Sequence, residues 1–78
     1  MDEERKNTRK KLKEATLPQY ESWTTEAALT PSQKKILDMH ILTGLSIIQI
    51  SCRVHASERT VTDRLVMAYK KVSSVIRK

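Results

Sequence analysis

Leu45–Val72, LSIIQISCRVHASERTVTDRLVMAYKKV, reads as two helices meeting across a very short joint. Ser46 is placed to cap the first helix, and Gln49 three residues on completes a capping box. Ser57 is placed to cap the second, with Thr60 at its third helical position. Between them stand Val54, His55 and Ala56, too few for a flexible loop. Ile47, Ile50, Ser51 and Val54 fall on one side of the first helix. In the second, Val61, Leu65, Ala68, Val72 and Val75 recur at steps of four and three, an amphipathic stripe. Arg59, Asp63, Lys70 and Arg77 lie opposite, with Thr62 and Arg64 on the flanks. A short scaffold helix, a tight turn and a longer basic helix predict a helix-turn-helix.

Upstream, Thr30-Pro31-Ser32-Gln33 combines a cap, a first-position Pro and a third-position Gln, so a helix should run from here to about Thr43. Gly44 is its left-handed terminator. Ile36, Leu37, Met39, Ile41 and Leu42 spread around its circumference, which predicts a sandwiched central beam, with His40 facing solvent. Before it, Pro18 with Tyr20, Trp23 and Ala27 predicts a short helix over Gln19–Ala28 that sets Trp23 against the core as a packing anchor. Met1–Ala15 is nearly all polar, with Leu12 its only large apolar residue after Met1. It reads as a charged arm, frayed or disordered, ahead of a domain spanning 16–78. A basic arm gripping phosphate is the alternative, against which its acids cancel much of the charge.

With 78 residues and no Phe, the core must be aliphatic and small, and a stability of only a few kcal/mol is expected. One Gly, two Pro and no strand alternation predict an all-α domain of four to five helices. The single Cys52 excludes an internal disulfide and suits a reducing, cytoplasmic setting. No apolar run is long enough to span a membrane, and no signal peptide is visible. Of the net charge of +6, most is local: residues 46–78 hold seven basic and two acidic groups, whereas residues 1–28 hold six of each. The excess falls on the helix-turn-helix, where a polyanion would dock. No phosphate loop, paired Cys or nucleophile–base constellation is present, so neither enzyme, cofactor nor metal site is expected, and no small-molecule substrate.

Leu29-Thr30-Pro31, Ile36-Leu37, Gly44-Leu45-Ser46, Gln49-Ile50-Ser51 and Ser57-x-x-Thr60-Val61-x-x-x-Leu65 together resemble region 4 of bacterial sigma factors. They are nearly as similar to the DNA-binding domain of LuxR-type regulators. The resemblance covers about fifty residues, Glu26 to Val75, and departs from the pattern at Gln49, Ser51 and His55, where Glu, Ala and Gly are usual. His55 matters most, because that turn position often needs φ > 0. Extra sequence before Thr30, and an end at Lys78 without a fourth helix, favour the sigma-like reading over the LuxR-like one. No room remains for the promoter-melting region of a full sigma factor, so the expectation is a free-standing regulator of phage or mobile-element type.

In such a domain the start of the second helix reads base edges in the major groove. Glu58, Arg59, Thr62 and Asp63 hold those positions, with Arg59 suited to guanine and either acid to cytosine. Ser46, Arg53, Ser57, Arg64, Lys70 and Lys71 are placed for phosphates. The opposing view is that the two acids repel phosphate and pair with Arg59. The resemblance further implies contact with RNA polymerase through the first two helices of the domain, with Lys35, Ile41 and Leu42 as candidates. Ile48 and Cys52 make an apolar spot on the outer side of the scaffold helix, and Val66 and Met67 add apolar surface on the long one. These leave two alternatives: a protein-interaction module, or a homodimeric repressor.

Overall fold

The computed structural model describes residues 2–76, with side chains from Lys6 onward, and among these residues the chain forms five helices and no strand. They are α1 (Asp2–Glu14), α2 (Leu17–Glu26), α3 (Pro31–Ile41), α4 (Ile47–Val54) and α5 (Glu58–Ile76). Arg77, placed by spacing on the outer face of the last helix, lies outside the described residues.

The stripe Val61, Leu65, Ala68 and Val72 is buried along α5, as its spacing requires. Tyr69 and Ser73 are buried as well, one residue to the side of that stripe. A stripe so widened needs partners on both flanks, and α5 packs against all four other helices. The central beam is therefore α5, where the sequence pointed to α3. The apolar residues of α3 spread around its axis, but Ile36 and Leu37 alone are fully buried, and Leu42 is 49% exposed.

Residues 2–15 are not an arm. All but Ala15 form α1, which packs on α5 and α3. Thr8 and Leu12, one turn apart, are buried at 4% and 2% exposure, with Ala15 packed against the core at the next turn. One leucine and a threonine methyl suffice because the Tyr69–Ser73 flank of α5 offers a surface to cover. The boundary expected at residue 15 thus falls inside one packed unit.

Thr16 caps α2 by accepting the Gln19 N–H, two residues upstream of Pro18. Tyr20 rather than Trp23 is the buried anchor of this helix, at 1% exposure, while Trp23 is half-buried against the core. The Tyr20 hydroxyl donates to Asp38 Oδ1 at 2.5 Å, tying α2 to α3. Lys34 Nζ lies 2.8 Å from the same carboxylate, 3.5 Å from Glu21 and 5.2 Å from the Tyr20 ring centroid. Burial first, then the bond to Asp38, push the Tyr20 hydroxyl well above its usual range, so it remains a neutral donor.

Two turns carry left-handed backbone at residues with side chains. Ala28, after α2, has φ 53°, and His55, after α4, has φ 54°. The left-handed region costs an L-residue roughly 1–2 kcal/mol that glycine avoids. Both side chains are exposed, so neither substitution empties the core. Ala28→Gly and His55→Gly should each raise unfolding stability by about 0.5–1 kcal/mol. Urea melts will show this as a higher midpoint at unchanged slope.

Candidate nucleic-acid interface

The α4–α5 unit is held at both ends of α4 and at the start of α5. Ser46 accepts the Gln49 N–H at 3.2 Å, and the Gln49 side chain accepts the Ser46 N–H at 2.9 Å, the reciprocal box expected. At the far end of α4, the N–H of left-handed His55 and that of Ala56 both turn back to the Ser51 carbonyl. Ser57 Oγ then accepts the Thr60 N–H at 3.1 Å and lies 2.8 Å from Thr60 Oγ1. Val54 and Ala56 pack against the core. The joint His55–Ser57 is thereby a rigid corner, which sets the direction of α5 relative to α4.

Glu58, Arg59 and Asp63 are exposed at the start of α5, with Arg64 and Lys70 exposed further along and Arg53 exposed on α4. The ion pairs formed by Lys34 sit on α2 and α3, and among the described residues neither Glu58 nor Asp63 pairs with Arg59. Arg59 is thus available to an incoming partner. Glu58 stands in the first turn of α5, where its charge favours the helix N-terminus. Ser46 and Ser57 are exposed, and both use the hydroxyl oxygen as a cap acceptor. Lys71 is half-buried and donates to Gln33 Oε1 at 3.0 Å, on the α3 side of the helix. Seven residues earlier, Arg64 falls on that same flank.

Thr62 occupies the other flank. It is half-buried and lines a cleft of about 480 Å³ that α1 and α5 share with His40 of α3 and Ile47 of α4, and Lys6, Arg9, Val66 and Tyr69 line it too. No acidic side chain among the described residues lines this cleft. His40, expected to face solvent, is half-buried here, with Nδ1 2.9 Å from the Leu45 carbonyl. A carbonyl accepts only, so this nitrogen carries the proton and the ring closes the α3–α4 turn. Lys6 and Arg9 were missed because the N-terminal segment read as an arm. The signal was present: Thr8, Leu12 and Ala15 repeat at helical spacing, with Lys6, Arg9 and Lys13 on the adjoining column.

On the outer side, Ile48 is 60% exposed and Cys52 follows it one turn later, also exposed. Lys35 and Leu42 are exposed, whereas Ile41 is partly packed against the core. Met67 is exposed, but Val66 contributes to the α1–α5 cleft rather than to open surface. Among the described residues no three His, Cys, Asp or Glu side chains gather as a metal site would require, and no helix is long and apolar enough to cross a membrane. No protein-family model matches the chain, and neither a curated protein nor a solved structure matches it.

Proposed function

We propose that this protein is a DNA-binding transcription regulator whose α4–α5 unit docks in the major groove of duplex DNA. The observation that carries the reading is the rigid corner His55–Ser57, which presents an unpaired Arg59 on the exposed side of a basic helix. Arg59, with Glu58, Thr62 and Asp63, reads base edges, while Arg53, Arg64 and Lys70 hold phosphates. Lys71 is given a smaller part, because its ammonium is engaged by Gln33. By the resemblance to sigma region 4, the regulator acts at promoters together with RNA polymerase. Exposed Ile48, Cys52 and Leu42 support a protein contact.

The test is fluorescence anisotropy with the duplex upstream of its own gene and with a scrambled duplex. The wild type should prefer the former, and Arg59→Ala should cost about 1–3 kcal/mol there while relaxing preference at one position. Folded protein that binds neither duplex at about 50 mM salt would refute the reading. Pull-down of polymerase from a host lysate, with sedimentation of the free protein, separates the regulatory modes. A tight dimer that retains no polymerase subunit would move the chain to the repressor class.

A further inference from the structure

We infer that α1 is a phosphate-binding rail: Lys6 and Arg9 seat the DNA strand that borders the groove entered by α5. This rests on the DNA-binding reading above and extends it to a helix that reading leaves unused. An α-helix with its side chains is about 10–12 Å across, and the major groove is about 12 Å wide. A helix lodged there must have one phosphate backbone along each flank. One flank of α5 carries Arg64. By helical spacing Thr62 and Val66 lie on the other, and that is where the cleft opens and where Lys6 and Arg9 stand.

Three properties suit this cleft to a phosphate backbone. Its charged lining is cationic, with no acidic side chain from the described residues. It is continuous with the proposed reading face through Thr62, which belongs to both. Its two cations are exposed yet mounted on a helix fixed by buried Leu12 and Thr8. Placed on a packed helix rather than a loose arm, they lose less freedom when they meet a phosphate. Of the acids in residues 1–28, Glu14, Glu21 and Glu26 do not line the cleft.

The experiment uses the full chain carrying Lys6→Gln and Arg9→Gln together. Both positions are exposed, so a wild-type thermal melt should confirm that the fold is kept. Anisotropy is then measured on the duplex the wild type prefers, between 50 and 200 mM salt. Removing two phosphate contacts should make the log–log salt slope less negative by about 2 and weaken binding at 0.1 M roughly sixty-fold, with base preference unchanged. Lys6→Arg with Arg9→Lys should restore the wild-type slope. A double Gln variant with the wild-type slope, while Arg59→Ala still relaxes preference, would overturn the rail and leave the DNA-binding reading standing. A variant that loses preference at unchanged slope would overturn it too, by making α1 a support for Thr62 alone. Failure of the wild type to bind any duplex would remove both readings together.

Discussion

Leu12→Ala is expected to cost about 2–5 kcal/mol and to lower the melting temperature by roughly 10 °C or more. Leu12 is 2% exposed and supplies the only large apolar side chain that α1 places in the core. Its removal forfeits the transfer of its methyl groups and leaves a cavity, which so small a domain can close only by shifting α1. A total stability of only a few kcal/mol is expected for 78 residues, so part of the population should unfold at room temperature. A frayed arm would behave otherwise, since substitutions in unpacked segments stay within about 0.5 kcal/mol. Lys11→Ala, on an exposed position of the same helix, is the control. Thermal melts followed by circular dichroism decide it: equal, small effects at both positions would detach α1 from the fold.

The contrast between α1 and the α4–α5 unit shows what the residues disclose and what they withhold. The caps at Ser46, Thr30 and Ser57 were legible because their partners lie three residues away in the chain. The buried stripe of α5 was legible for the same local reason, a repeat of four and three. Burial of Tyr69 and Ser73 was not, because it depends on how the other four helices pack around α5, among them α1, which lies more than fifty residues earlier. A tyrosine carries a polar handle, so by type it fits a rim as well as a core. Leu12 misled in the opposite sense: one leucine among lysines is a weak stripe until a second helix offers a flank to cover. His40 is the same case, since its partner, the Leu45 carbonyl, appears only once the α3–α4 turn folds back. At the candidate interface, spacing gave the exposed placement of Arg59, Asp63 and Lys70. It gave neither the diversion of Lys71 to Gln33 nor the presence of Lys6 and Arg9 beside Thr62, because each joins segments far apart in sequence.

Binding to the preferred duplex should weaken about a thousand-fold between 50 and 200 mM salt, with a log–log slope near −5. The slope follows from the number of phosphates neutralised, at about 0.9 for each. Arg53, Arg64 and Lys70 are exposed on α4 and α5, and Lys6 and Arg9 add two from α1. Lys71 is left out because Gln33 holds its ammonium, and Arg59 because it is assigned to a base. Five contacts give a slope of roughly −4.5, and raising salt four-fold at that slope reduces affinity about 500-fold, or a thousand-fold at −5. The acids Glu58 and Asp63 act against this attraction, but as fixed charges on the reading face they shift affinity far more than they change the count of released counterions. Lys70→Ala should therefore weaken preferred and scrambled duplexes alike and bring the slope up by about 1. Arg59→Ala should leave the slope nearly where it was and relax preference at one position instead. A wild-type slope near −1, with affinity barely touched by salt, would mean that the basic residues around α5 are a solvated surface and that whatever this protein binds, it does not hold by its phosphates.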